Sequence, residues 1–397
     1  MDTIAPDDDQ TAAAIGEQGP SRILLVSQRK LRDDVANACL YQLEDLLCTI
    51  DSVDILAPDR PVITPGRLYK AARWGGVPAQ LARRILRPRI PEPAHDYELM
   101  IAVLDSYRQV GTVHQIRQWR RRCGKAICFL AEIWPKDLVD SNKLLELYGI
   151  FDHVFIGVDH GAERMAELAG APCSSLHPAV DALEASTPQG RPRGIDVCYI
   201  GRRSPVTHAA LMEMARSQGL FYYYDTLLPP LRVSDHNGHR LLLANIIRNS
   251  RYFIANHAKI DRPDLTSGQQ EVGYRFFEGV AGGAVLLGQT PKTPAFARML
   301  PWTDAVIEVP FDAPDIARTI RALDADPERT DRIRARNMAH ALRMHDWVYR
   351  YEEMLAPVGV RGTPGMERRR ARLAAAADAI EKAGERLPQP PREAVRV

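Results

Sequence analysis

Short apolar runs alternate with amphipathic segments along most of the chain, and this alternation limits the possible folds more than any other feature. In the first half, "RILLVSQ", "SVDILAP", "YELMIAVLDS", "KAICFLAEIW" and "HVFIGVD" have the composition of buried strands. Segments between them, such as "DDVANACLYQLEDLLCTI", place apolar residues on one face of a helix. The pattern is typical of parallel sheets that are covered by helices on both faces.

The alternation pauses at a Pro- and Gly-rich segment, residues 186–194, and then begins again with "IDVCYIG", "LFYYYD", "RYFIAN" and "AVLLGQ". We therefore predict an α/β protein in which two doubly wound domains, residues 21–185 and 195–356, face a central cleft and are joined by the linker 186–194. Residues 1–20 are predicted to be a disordered leader. Residues 357–397 are predicted to be a charged helical or disordered tail, mobile or loosely docked, because they show no clear apolar face.

Composition argues against several classes of protein. The 397 residues carry a formal net charge of +2, which indicates no particular partner. No apolar run approaches the ~20 residues that cross a bilayer, and the N-terminus lacks the pattern of a secretion signal, so a cytoplasmic location is expected. The six cysteines include no CxxC pair, which argues against a zinc site or a disulfide framework. The sequence contains neither a G-x-x-x-x-G-K-[ST] nor a G-x-G-x-x-G motif, which disfavours a kinase or a dehydrogenase.

The segment "SGQQEVGYRFFEGVAGGAVLLG", residues 267–288, carries a group of charges that suggests a binding site. Arg275 and Glu278 are three residues apart and share one helix face, and Glu271, seven residues before Glu278, is expected on that face too. The N-terminus of such a helix offers free N–H groups to an anion such as a diphosphate, and a carboxylate can accept both ribose hydroxyls of a nucleotide. The alternative is an ordinary crossover helix whose charges face solvent.

Four segments resemble glycosyltransferases of the GT-B fold. "YRFFEGVAGGAVLLG" is similar to their nucleotide-sugar segment, in which a helix glutamate precedes a Gly-containing turn and an apolar strand. "DVCYIGRRSPVTHAALMEMA" resembles the start of their C-terminal domain, and "SSLHPAVDAL" the exit from the N-terminal one. "ARNMAHALRMHDWVYRYEEML" resembles the closing helix of the group typified by the spore-maturation protein family, which is related to glycosyltransferase families 1 and 4. The resemblance covers residues 195–356 well and the N-terminal half only in architecture.

This resemblance implies two Rossmann-like domains and a hexosyltransferase-type activity in glycan biosynthesis. The donor would be a nucleotide-diphosphate sugar and the acceptor a glycan, a lipid-linked molecule or a small molecule, with no cofactor and no metal. Two alternatives stay open: a nucleotide-sugar epimerase of the same fold, and a coat or scaffold protein that keeps the fold without turnover.

The resemblance also implies which residues of the C-terminal domain bind the donor. Glu278 matches the glutamate that holds the ribose, and the nucleotide-sugar residues near the diphosphate are Gly201, Arg202 and Arg203. Arg275 is added from its position on the helix. Families with two glutamates have seven residues between them, which would place the first at Gln270, whereas only six residues lie between Glu271 and Glu278. This chain has Glu271 instead, so the donor role of Glu271 departs from the family pattern.

Three polar residues follow predicted strands of the first domain and would face the cleft: Asp105, Glu132 and His160. A transferase needs a general base or an electrostatic stabiliser on this side, so the three are the candidate catalytic residues. The alternative for each is a capping or loop-ordering role.

Residues 67–89 form a basic segment without an acidic residue. Apolar residues are interleaved with its cations, which are Arg67, Lys70, Arg73, Arg83, Arg84, Arg87 and Arg89. This composition fits a helix lying on anionic lipid, that is, peripheral contact with the inner membrane face. The alternatives are a solvated basic helix and a groove for an acceptor phosphate. No nucleic-acid partner is expected.

Overall fold

The computed structural model describes residues 20–59, 63–86, 89–186, 192–226 and 231–385. Almost all of the predicted leader, most of the predicted linker and the end of the predicted tail lie outside these ranges, as does Arg87 of the basic segment.

Within the described residues, the strands form two sheets in which all neighbouring strands are parallel. The first sheet has the order β2-β1-β3-β4-β5-β6, with β1 Ile23–Val26, β2 Val53–Leu56, β3 Tyr97–Leu104, β4 Cys123–Leu130, β5 His153–Ile156 and β6 Cys173–Ser175. The second has the order β11-β10-β9-β7-β8, with β7 Ile195–Tyr199, β8 Tyr222–Tyr224, β9 Ser250–Ile254, β10 Val285–Gly288 and β11 Ile307–Glu308.

Helices connect and cover the strands of both sheets. In the first half they are α1 Ala38–Ile50, α2 Ile63–Trp74, α3 Ala79–Ala82, α4 Val110–Val113, α5 Trp119–Arg122, α6 Ala162–Ala169 and α7 Ala182–Ala185. In the second half they are α8 Pro205–Gln218, α9 His236–Arg248, α10 Pro263–Thr266, α11 Tyr274–Ala281, α12 Pro294–Met299, α13 Ile316–Asp324, α14 Pro327–Met344, α15 Trp347–Leu355 and α16 Pro364–Glu385. Among the described helices, none is both long enough and apolar enough to cross a membrane.

The sheets are doubly wound, as the alternation predicts. All four residues of β1 are buried, because helices cover both faces of a parallel sheet and a buried strand then needs no polar face. The predicted strands of both halves are present. The connections are not all regular α-helices: "VHQIRQWRRRC" contains only the single turn α5, and "SNKLLELYG" enters a 3-10 helix at Leu145–Ile150.

The C-terminal helix α16 is packed against the protein, and the expectation of a loosely docked tail without an apolar face is wrong. Met366, Leu373, Ala377 and Ile380 recur on one face of α16 and are buried. On the same side Arg369 donates at 2.7 Å to Asp346, which is fully buried. The apolar stripe is narrow and contains this arginine, so it is inconspicuous among the charged residues of the segment.

The last helices also reach back to the first half of the chain. The hydroxyl group of Tyr351, in α15, donates to the Asp51 carboxylate at 2.6 Å, and the hydroxyl of Thr363 donates to the Ile50 carbonyl at 2.5 Å. The core around α1 therefore continues into α15 and α16. The exact domain boundaries stay a prediction.

Candidate functional site

The strand order of the second sheet locates a crevice at its carboxyl edge. In the sheet, β7 lies between β8 and β9. The chain passes from β7 to its neighbour β8 and then crosses to β9, which lies on the other side of β7. Ligands of doubly wound proteins bind at such a switch point, beyond the carboxyl ends of the two strands. The loops that begin at Ile200 and Ala255 are the ones that meet there.

The loop after β7 holds the three nucleotide-sugar candidates Gly201, Arg202 and Arg203. Gly201 has φ +87°, a conformation that glycine adopts without strain, and its N–H donates to the Asp225 carboxylate at 3.1 Å. The guanidinium of Arg203 pairs with Asp225, and that of Arg202 pairs with Asp261 at 2.8 Å. Both arginines therefore lie at the edge of the sheet, each held by a carboxylate.

Helix α11 begins beside the loop after β9. A side chain at Gly273, the residue before α11, would stand 3.5 Å from the Asn256 carbonyl oxygen. Gly273 has an extended backbone, and no side chain of the described residues caps the first turn of the helix. The N–H of Phe276 donates to the Gly273 carbonyl at 3.3 Å, which leaves the N–H groups of Tyr274 and Arg275 without an acceptor among the described residues. Together with the helix dipole, these two groups favour an anion at this place.

Glu278 lies in a buried ion triad rather than in a surface pair. Only 4% of the residue is exposed, and its carboxylate accepts from Arg275 on the same helix and from Arg240 on α9, the latter at 2.5 Å. Burial by itself raises the pKa of Glu278, but Arg275 and Arg240 outweigh this effect and lower the pKa to about 2. The spacing of Arg275 and Glu278 on one helix face is confirmed, whereas Arg240 was missed.

Arg240 also lines a cavity of about 290 Å³. The cavity walls come from α1, α7, α9 and α16 and include Gln42, Glu184 and His236, but no residue of the loops after β7 and β9. The cavity therefore does not coincide with the candidate site at the strand ends, although Arg240 touches both the cavity and Glu278.

Glu271 does not share a helix with Glu278, so that expectation is wrong. Helix α11 begins at Tyr274, and Glu271 lies in the preceding loop. Its buried carboxylate accepts from the backbone N–H groups of Asp159 at 2.7 Å and His160 at 3.2 Å. Glu271 thus joins the second half of the chain to the loop after β5 of the first half.

His160 is held by the same carboxylate. Its Nδ1 lies 3.1 Å from Glu271 Oε1, and because a carboxylate oxygen only accepts, the ring donates through Nδ1. When the ring is neutral, this bond leaves Nε2 of the half-exposed imidazole as the acceptor nitrogen. An imidazole in this tautomer can act as a general base.

The other two catalytic candidates have different partners. Glu132, after β4, pairs with Lys259 of the loop after β9, and the Lys259 ammonium lies 5.0 Å from the centre of the Trp134 ring. Burial, followed by the nearby Arg262, lowers the pKa of Lys259. The non-glycine residue Lys259 has φ +51°, an uncommon conformation that the sequence gives no sign of.

Asp105, after β3, makes the contacts of a residue that orders its own turn. Its carboxylate accepts from the side chain of Gln109 and pairs with Arg32 at 3.0 Å. The structure therefore brings Glu132 and His160 against the carboxyl edge of the second sheet, while Asp105 contacts residues of its own half.

A family model and several solved structures resemble this chain. The glycosyl transferase-like family model matches residues 224–356. A structure of an alpha-glucosyltransferase in complex with UDP-glucose and DNA containing an abasic site has a TM-score of 0.52 at 13% identity, covering 86% of this chain and 100% of that chain.

Two further structures have lower TM-scores. Anabaena HepE in complex with UDP and glucose has a TM-score of 0.49 at 13% identity, covering 85% of this chain and 99% of that chain. The UDP-forming alpha,alpha-trehalose-phosphate synthase from Burkholderia vietnamiensis has a TM-score of 0.49 at 12% identity, covering 87% of this chain and 100% of that chain. No curated protein sequence matches the chain significantly.

These findings confirm the fold. The chain has two doubly wound α/β units in the arrangement of GT-B glycosyltransferases, and a third of its length matches a glycosyl transferase-like family model. Membership of the spore-maturation-protein group stays a prediction. So do the expected absences of a metal, a cofactor and a nucleic-acid partner.

Proposed function

We propose that this protein is a glycosyltransferase that moves a hexosyl group from a nucleoside-diphosphate sugar to a hydroxyl-bearing acceptor. One observation carries the proposal: at the β7–β9 switch point, the cations of Arg202, Arg203 and Lys259 converge with the uncapped start of α11. The match of residues 224–356 to the glycosyl transferase-like model supports the same reading.

Each cation of this site has a carboxylate partner. Arg202, Arg203 and Lys259 pair with Asp261, Asp225 and Glu132, respectively. A diphosphate presents the same type of acceptor with more charge, so it can replace these carboxylates. Donor binding would then release Glu132 from Lys259 and open the contact between the two sheet edges.

Glu278 is assigned to the nucleotide ribose. Each of its oxygens accepts one arginine, and a carboxylate has about four lone-pair sites, so two ribose hydroxyls can still donate to it. Because Glu278 is buried, the ribose reaches it only if a covering side chain moves. Arg275 is the more exposed arginine of the triad and can turn from Glu278 towards the diphosphate.

The chemistry follows from this placement. The bond between the sugar C1 and the diphosphate oxygen breaks, and a bond between C1 and the acceptor oxygen forms. The cations stabilise the charge that develops on the leaving diphosphate. In this proposal His160, whose Nδ1–H donates to Glu271, takes the acceptor proton on Nε2.

Incubation with UDP-, GDP- and ADP-linked hexoses, followed by chromatography of the products, tests this function. Slow release of free hexose from one donor is expected, since transferases without an acceptor pass the sugar to water. An epimerised donor would indicate the epimerase instead. Intact donors, together with no rise in melting temperature in the presence of UDP, GDP or ADP, would indicate a scaffold.

A further inference from the structure

Helices α2 and α3 present large apolar side chains to solvent. Leu68 and Trp74 of α2 are 54% and 64% exposed, and Leu81 of α3 is 50% exposed. Tyr69 of α2, Ala82 of α3 and Leu86, four residues after α3, are buried in the core that packs against the first sheet. The helices are therefore anchored from below, and the exposed side chains stand on their outer side.

The outward-facing apolar residues follow one another at helical spacing. Leu68, Ala71 and Trp74 are three residues apart, and all three are exposed. Pro78 and Leu81 continue the exposed series beyond the turn at Gly75 and Gly76. Leu68, Ala71, Trp74, Pro78 and Leu81 together are called the apolar ridge below. Single exposed apolar residues are ordinary, but five within fourteen residues indicate an interaction surface.

Cations flank the apolar ridge. Arg67, Arg83 and Arg84 are exposed, and the Lys70 ammonium lies 4.7 Å from the centre of the Trp74 ring. The sequence has no acidic residue between Pro61 and Pro91. The exposed cations therefore have no acidic partner within the segment itself.

The neighbouring groups leave both features of the surface intact. The Glu146 carboxylate forms an ion pair with Arg73 at 2.9 Å. Arg73 is not one of the exposed cations that flank the apolar ridge. The Trp74 indole N–H donates to the Ser141 carbonyl at 2.9 Å, so the ring stands outward with its polar atom satisfied.

We infer that the apolar ridge and its flanking cations dock this protein on an anionic lipid bilayer. A bilayer interface takes apolar side chains below the headgroups and cations at the headgroups, which is the division on this surface. Tryptophan is the side chain that favours this depth. A nucleic acid would use the cations but offers no environment for two leucines, so lipid is the better partner. This surface does not involve the site at the β7–β9 edge, and its docking is independent of the proposed transfer reaction.

Flotation of the full-length protein with vesicles tests this inference. Vesicles of phosphatidylcholine with phosphatidylglycerol should carry the protein to the top of the gradient, and phosphatidylcholine alone should not. Binding to the anionic vesicles should fall steeply with added salt, because the charges are exposed and screened. Equal recovery with both vesicle types would overturn the inference, as would displacement of the protein from anionic vesicles by duplex DNA.

Matched variants separate this surface from the rest of the molecule. L68S/L81S and R67Q/R83Q/R84Q should each reduce vesicle binding at least about tenfold. L242S is the apolar control, since Leu242 is 57% exposed on α9, and R318Q is the charge control on α13. Melting temperatures like that of the wild type confirm that the variants fold. Equal losses in the control variants would contradict the assignment of this surface.

The fluorescence of Trp74 gives a second readout that does not depend on the leucines. Trp119, Trp134 and Trp347 are buried and Trp302 is half-buried, so Trp74 is the tryptophan that a bilayer can newly cover. Anionic vesicles should shift the emission to shorter wavelength, and W74F should bind them without this shift. An unchanged spectrum of the wild-type protein on vesicles would place the contact elsewhere.

Discussion

Replacing Glu278 by glutamine tests the energetic role of the buried triad. A ribose-binding carboxylate on the protein surface could be replaced with a loss of nucleotide binding alone. In the structure, the carboxylate is buried and compensates Arg240, which is itself buried. Glu278→Gln keeps the shape and one acceptor oxygen but leaves Arg240 without its counter-charge. We therefore expect the variant to lose stability as well as donor affinity.

The magnitude follows from the pKa of the carboxyl. Relative to an ordinary value of 4.5, a pKa of about 2 corresponds to about 3 kcal/mol of stability. Breaking a buried ion pair by removing one partner costs about 3 to 5 kcal/mol, which agrees. Because the folded-state pKa is depressed, the contribution is complete above pH 4.5 and is lost as the pH falls towards 2.

Urea unfolding at pH 7 measures this loss, with Glu308→Gln as the matched control. Glu308 forms a surface pair with Lys292 at 2.9 Å, so its replacement should cost under about 1 kcal/mol. The difference between wild type and Glu278→Gln should shrink when the pH is lowered below 4.5. The double change Glu278→Gln/Arg240→Gln should recover part of the lost stability. A cost under about 1 kcal/mol for Glu278→Gln at pH 7 would refute the buried triad.

Three further predictions concern the tail and the facing edges of the two sheets. Removing residues 364–397 should lower the melting temperature by several degrees or prevent folding, because α16 buries four apolar side chains; an unchanged melting temperature would contradict its packing. Lys259→Ala should weaken nucleoside diphosphate binding about tenfold, whereas Glu132→Gln should strengthen it by removing the competing carboxylate. If both variants change the affinity measured by calorimetry in the same direction, Glu132 does not compete with the diphosphate for Lys259. His160→Asn should reduce turnover about 10²- to 10⁴-fold with unchanged donor affinity, and turnover close to that of the wild type would exclude His160 as the base.

Local periodicity was sufficient to predict the fold. Buried parallel strands are continuous apolar runs, and the helices between them carry apolar faces, so β1, α1 and β7 could be located from sequence. The pairing of Arg275 with Glu278 was also predictable, because residues three apart on a helix are neighbours.

The rest of the site depends on contacts between distant segments, which local patterns do not encode. Arg240 meets Glu278 only because α9 packs against α11, and Glu271 meets His160 across the two halves of the chain. The contact of Lys259 with Glu132 has the same origin, since each residue simply follows a strand of a different sheet. In each case one partner could be singled out from the sequence, and only the packing of distant segments determined the other.

The central claim is that the carboxyl edge at β7 and β9 binds a nucleoside diphosphate, and isothermal titration tests it most directly. UDP, GDP and ADP should be compared with their nucleosides on the wild type, Arg203→Ala and Arg251→Ala. Arg251 is the matched control because it forms an ion pair with Asp196 at the opposite, amino edge of the same sheet. We predict that one diphosphate binds at least about tenfold more tightly than its nucleoside, and that only Arg203→Ala removes this difference. Equal affinities for diphosphate and nucleoside, or equal losses in both variants, would contradict the claim.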